Sequence, residues 1–181
     1  GLLVGASLNR APQAFCAAVL DVPFVDVLRT MENPDLPLTT AEYTEWGNPS
    51  HAADARRIGS YSPLDNLDAE AWPPVFLQGG WHDSRVPYWE PAKLYARLSL
   101  ANAEQAALSN RTTLLKTDMT SGHGGASGRF KAWREGARQD AFVLWALDLL
   151  DADLVNADLM DNSPVESPRP HPCSTDESPQ A

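Results

Sequence analysis

The stretch "PPVFLQGGWHDSRVP", residues 73–87, decides the fold. Val75, Phe76 and Leu77 form a short apolar run between a proline pair and two glycines. So short a run, closed at both ends by turn-forming residues, predicts a strand stopped by Gly79 and Gly80. Residues 88–104 follow with an amphipathic helical pattern. Pro91 falls in its first turn, where a missing N–H costs little. "TTLLKTDM", 112–119, predicts the next strand. Residues 130–150 predict a closing helix, because their apolar residues recur at spacings of three and four. Strand, helix, strand, helix is the α/β pattern of a parallel sheet flanked by helices.

Upstream, residues 2–14 suit a short helix of small and apolar residues. "FCAAVLDVPFVDV", 15–27, carries a β-rich apolar stretch that ends near Pro23. From Arg29 to Tyr61 the sequence is loop-rich, punctuated by Pro34, Pro37, Gly47 and Pro49. Downstream of about residue 153 the composition changes. "NSPVESPRPHPCSTDESPQA" is rich in Pro, Ser and acid and poor in large apolar residues. The expected organisation is therefore a folded unit over 1–153 and a disordered tail over 154–181. No internal repeat is visible.

The chain of 181 residues has room for one domain with a real core. A net charge of −10 argues against nucleic acid as a partner. No stretch approaches a membrane span and no signal peptide is visible, so a cytoplasmic location is expected. Cys16 and Cys173 stand far apart, with neither metal-ligand nor disulfide spacing. Cys16 lies in an apolar run and reads as a buried thiol.

In parallel α/β sheets, functional residues collect just past the C-terminal ends of the strands. Two loops hold that position: "GGWHDSRVP", 79–87, and "TSGHGG", 120–125. They place Asp83 and His123 on adjacent loops, if the two strands are neighbours. An acid followed by a histidine is the tail of the Ser…Asp…His order of α/β-hydrolases. The imidazole takes the nucleophile's proton, and the carboxylate holds the ring and stabilises the imidazolium. Taken singly, Asp83 suits a turn or helix cap and His123 an exposed loop. His82, Asp83 and His123 as metal ligands lack a third well-spaced member, so no metal is expected.

The nucleophile is missing. No G-x-S-x-G occurs, and Ser7, Ser121 and Ser127 lack a strand-to-helix turn in front of them. "GLLVGAS", 1–7, looks like the sequel to a nucleophile elbow, because small residues open a helix there. The serine is therefore expected just upstream of Gly1, and the chain reads as a partial, N-terminally truncated α/β-hydrolase fold.

"VPFVDVLRTMENPDLPLTTAEYTEWGNP", "YSPLDN", "HDSRVPYWEPAKL" and "LLKTDMTSGHGGASGRF" closely resemble the trypsin-like branch of the prolyl oligopeptidase family of serine peptidases. The resemblance covers about residues 1–150. It implies an α/β-hydrolase domain capped by a β-propeller that admits short peptides, cleavage after Arg or Lys, and no cofactor. Asp83 in "HDSRV" then matches the catalytic acid and His123 in "SGHGG" the catalytic base. Arg85 matches a substrate-contacting arginine, Glu42 the carboxylate that receives a basic P1 side chain, and Phe24 the aromatic wall beside it. Chemistry agrees with the last pair: a guanidinium wants a carboxylate in its plane and an apolar surface to stack on. Glu45 in the same acidic loop stays open, as does a surface salt bridge for Arg85. The implied partners are short basic peptides and the missing propeller and remainder of the catalytic domain. Two other readings stand: an esterase on the same scaffold, against which the acidic "AEYTEWG" loop argues, and a truncated, non-catalytic pseudo-enzyme or binding module.

Overall fold

The computed structural model describes residues 1–68, 72–104, 111–125 and 127–150. The expected tail, 154–181, lies outside the described residues. In chain order come α1 (Leu2–Arg10), a 3-10 turn (Pro12–Ala14), β1 (Ala18–Asp21), α2 (Val27–Glu32), α3 (Tyr43–Trp46) and α4 (Ala52–Gly59). Then follow β2 (Val75–Gly80), α5 (Trp89–Glu104), β3 (Thr113–Asp118) and α6 (Arg129–Ala146).

The three strands form one parallel sheet in the order β1-β2-β3. Val75 lies opposite both Ala18 and Thr113, so the strand ends are level across the sheet. The central strand is covered on both faces: Val75, Phe76 and Leu77 are all buried. Val75 and Leu77 join Leu8 of α1 and Leu94 and Leu98 of α5 in the main core, with Leu20 and Trp72. Phe76, pointing the other way by strand alternation, meets Phe142 of α6 with ring centroids 5.5 Å apart. A near-continuous apolar run is what a strand buried on both faces requires.

Three expectations need correction. The strand does not stop at the glycines. Gly79 and Gly80 pair with Thr117 and Asp118 and are its last two residues. At Gly80 a Cβ would lie 2.7 Å from the Ser121 carbonyl oxygen, so the missing side chain is what lets the next loop pass close by. Residues 29–61 are loop-rich as expected, yet α2, α3 and α4 also enclose a second small core of Val27, Met31 and Ile58, with Leu2, Phe24, Tyr43, Trp46 and Tyr61 against it. Pro and Gly there separate short helices rather than forbid them. Cys16 is half-buried rather than buried, and no cysteine among the described residues is free. The closing helix ends at Ala146, and Phe142 is its buried residue; Phe130 and Trp133 face outward at 71% and 62% exposure.

Candidate active site

Level strand ends put the loop after β2 beside the loop after β3. Backbone bonds stitch the two: Trp81 N–H donates to the Asp118 carbonyl at 2.8 Å, and His82 N–H to that of Ser121 at 3.1 Å. Asp83 sits between them with its side chain fully buried. Its Oδ1 accepts the backbone N–H groups of Arg85 at 2.8 Å and Val86 at 2.9 Å. That pair of bonds closes a tight local turn of the kind Asp forms with its own backbone. The other oxygen, Oδ2, lies 2.9 Å from His123 Nδ1.

The bonding fixes the ring. An ionised carboxylate only accepts, so Nδ1 carries the proton and donates it to Asp83. In the neutral imidazole this leaves Nε2 with a free lone pair, able to take a proton. The His123 side chain is 36% exposed and borders a cleft of ≈ 500 Å³. Buried acid, oriented ring and open second nitrogen are the parts that acid–base chemistry requires.

The cleft gathers residues distant in sequence. His123, Arg85, Phe24 and Glu42 all line it, as do Gly1 and Leu2 at the start of the chain. Asp83 stays behind His123, outside the lining. Arg85 is exposed at the cleft's edge. Glu42 is half-buried at the N-terminal end of α3, and its Oε2 accepts the indole N–H of Trp46 at 3.0 Å. Trp46 in turn meets Phe24 edge-to-face, with centroids 5.6 Å apart at 77°. Carboxylate and aromatic wall are thus joined through one indole. Glu45 is exposed and not among the lining residues.

The sequence reading missed Trp46 as the partner of Glu42, and it missed Glu90. Glu90 is fully buried, and burial pushes its carboxyl above the ordinary range, while bonds from Thr30, Asp26 and Val25 pull the other way. In sequence it looks like any acid in a helix's first turn, where carboxylates are common on exposed faces. Only the fold turns it inward.

A parallel sheet with Asp and His on consecutive strand-end loops is the α/β-hydrolase arrangement. The chain belongs to the prolyl oligopeptidase family, whose model matches residues 1–149. It is 48% identical over 144 residues to dipeptidyl aminopeptidase BI of Pseudoxanthomonas mexicana, covering 80% of this chain and 19% of that protein. It is 45% identical over 144 residues to protease 2 of Moraxella lacunata, covering 80% and 20%. Among solved structures it resembles oligopeptidase B from Leishmania major, with a TM-score of 0.74 and 44% identity over 85% of this chain and 21% of that one. The chain spans about a fifth of the length of these relatives. No helix among the described residues is long and apolar enough to cross a membrane.

Proposed function

We propose that this chain is the C-terminal part of the catalytic domain of a serine oligopeptidase that cleaves short peptides after Arg or Lys. His123 is the general base, Asp83 its orienting acid, and the nucleophilic serine lies N-terminal to Gly1. The observation that carries the reading is the Asp83–His123 bond of 2.9 Å opening onto a cleft that Glu42 and Phe24 also line. In the chemical step Nε2 of His123 accepts the serine proton as Oγ attacks the scissile carbonyl, then returns it to the leaving amine. Asp83 stays ionised and stabilises the transient imidazolium.

The place proposed for the serine is next to Gly1. That glycine borders the same cleft as His123, and it packs so tightly that a Cβ would fall 2.1 Å from Pro23 Cα. A chain entering there passes the rim of the cleft. Glu42 supplies the charge that a buried P1 cation needs, Phe24 the flat apolar surface, and Arg85 a cation for a substrate carbonyl or carboxylate. The reading needs no cofactor and places the enzyme in the cytoplasm. It also implies that a propeller and the rest of the catalytic domain complete the site.

A second reading draws on the relative named dipeptidyl aminopeptidase BI. Removal of dipeptides from a free N-terminus and cleavage within a chain share one triad and differ in what holds the substrate's amine. The test uses the full-length protein with two peptide amides, identical but for an acetylated N-terminus, each with Arg or norleucine at P1. The oligopeptidase reading expects cleavage of the acetylated Arg peptide and loss of activity to a serine-directed phosphonate. Cleavage of the free-amine peptides alone would favour the dipeptidyl reading. Turnover that the phosphonate does not touch would overturn both.

A further inference from the structure

Glu90 in the first turn of α5 is wholly buried, and the chemistry proposed above makes no use of it. Its Oε2 accepts the backbone N–H groups of Val25 at 2.9 Å and Asp26 at 2.6 Å, and its Oε1 accepts the hydroxyl of Thr30. These donors belong to one side of the cleft. Val25 follows Phe24, and Thr30 itself lines the cleft. The Thr30 carbonyl then accepts the Thr39 hydroxyl at 3.2 Å, which extends the bonding into the segment that leads to Glu42. Glu90 also belongs to the other side. Its own N–H donates to the Pro87 carbonyl at 2.9 Å, at the end of the turn that Asp83 closes.

A buried carboxylate is a costly support, and removing its donors or the acid leaves unpaired groups in the interior. The three hydrogen bonds from Val25, Asp26 and Thr30 offset part of that cost, while the neighbouring acid Asp26 adds to it and has its own cations. Asp26, equally buried beside Glu90, is neutralised by Arg29 at 2.7 Å and Lys93 at 2.6 Å. The cluster is therefore held from three segments, 25–30, 87–93 and 65, with the carboxylate of Glu90 at its inner end.

We propose that Glu90 is a positioning residue that fixes the Phe24–Glu42 side of the cleft relative to the Asp83–His123 loops, and so sets how a basic P1 side chain sits when its carbonyl faces His123. The inference rests on Glu42 reading P1. Three variants of the full-length protein test it. Glu90→Gln can keep the geometry, its amide oxygen accepting from Val25 and Asp26 and its amide nitrogen donating to the Thr30 oxygen. Glu90→Leu removes every acceptor, and Thr30→Val removes one donor without changing shape.

For Glu90→Leu the ratio of kcat/KM for Arg over norleucine at P1 should fall about tenfold or more, through KM. Thr30→Val should show the same trend at roughly threefold, and Glu90→Gln should stay within about threefold of wild type. Inactivation by a small phosphonate without a P1 side chain should keep its rate in both Glu90 variants. An unchanged ratio, or equal loss toward the phosphonate in a folded Glu90 variant, overturns the proposal. Should Glu90→Leu not fold, Thr30→Val decides by the same ratio. Amide hydrogen exchange at Val25 and Asp26 separates the two levels of inference. It should speed up in Glu90→Leu, which removes the acceptor of both amides, whatever the substrate preference, and unchanged protection there also overturns the role of Glu90. A wild-type protein without preference for Arg would instead sink the Glu42 reading alone.

Discussion

The two sides of the cleft are built by different means. The Asp83–His123 side hangs from adjacent parallel strands, and its anchors are backbone bonds between the two strand-end loops and a turn that Asp83 closes on Arg85 and Val86. The Phe24–Glu42 side lies past the end of β1, outside the strands. It rests on short helices around Val27, Met31 and Ile58 and on the long-range bonds of Glu90. The first kind of construction gives a fixed distance between two reacting groups. The second gives a wall whose shape depends on several weak packings at once. A catalytic pair needs the first, since proton transfer tolerates little misplacement. On the proposed reading the Phe24–Glu42 side is a specificity wall, which tolerates the second.

The widest break in that comparison comes from His123→Ala in the full-length protein. Loss of a triad base lowers kcat by roughly 10³-fold or more, and here it should do so for every substrate, whatever its P1 residue. The check is kcat on matched peptides with Arg and norleucine at P1. A variant that keeps most of its activity would remove His123 from the mechanism.

Glu42→Gln should break the other side alone. It keeps the shape and the acceptor for the Trp46 indole but removes the charge. Loss of one partner of a buried charged pair corresponds to about 2–4 kcal/mol in ΔΔG‡ for Arg and Lys substrates. Norleucine peptides should lose far less, because they never needed the charge. Equal losses on both would mean that Glu42 supports its loop, and Glu45 would be the next carboxylate to substitute.

Trp46→Phe sharpens the comparison by one hydrogen bond. The indole N–H holds Glu42 Oε2 at 3.0 Å, while the six-membered ring can still meet Phe24. Losing one such bond to a charged group is worth about 1–3 kcal/mol. The expected result is a modest rise in KM for Arg peptides with kcat nearly unchanged. A fall in kcat shared with norleucine peptides would show that the indole reaches the catalytic pair as well.

The same contrast governs what can be read from the sequence. β2, α5 and β3 are legible because a short apolar run, a helical pattern and a second run encode them locally. Their parallel order then brings Asp83 to His123 with no further information. The helices within 29–61 are not legible, since each is short and its apolar residues pack against those of the other short helices and against Leu2, far along the chain. For the same reason Glu42 looks like a solvated acid until a family resemblance singles it out. Glu90 gives no signal at all, because its partners lie 60 to 65 residues away. Reading Gly79 and Gly80 as a strand stop fails for a related cause: Gly80 makes room for the loop at 121–122 and Gly79 lies against Pro91 of α5, so both answer distant neighbours rather than a local turn.

The smallest expected effect concerns the support behind the His123 loop. Lys116 of β3 donates to Glu135 of α6, which also takes Arg138 at 2.6 Å. The bond from Lys116, then that from Arg138, holds the Glu135 carboxyl below its ordinary value against a desolvation cost. A carboxylate whose pKa is depressed by folding contributes stability above its unfolded value, and that contribution is lost as pH falls through the folded one. The window therefore lies below the ordinary glutamate value of 4.5. With Glu135 and Lys116 part-exposed at 19% and 29%, the pair is expected to contribute at most about 1 kcal/mol. Lys116→Met should lower the unfolding midpoint slightly at neutral pH and converge with wild type in acid, where Glu135 is protonated in both. Because α6 meets the sheet through Phe142, the fold should survive, and kcat should stay near wild type for Arg and norleucine peptides alike. Thermal unfolding followed from neutral pH down into acid gives the comparison. A gap between the two proteins that persists at the acid end would show that Lys116 stabilises this layer by packing its stem rather than by its charge.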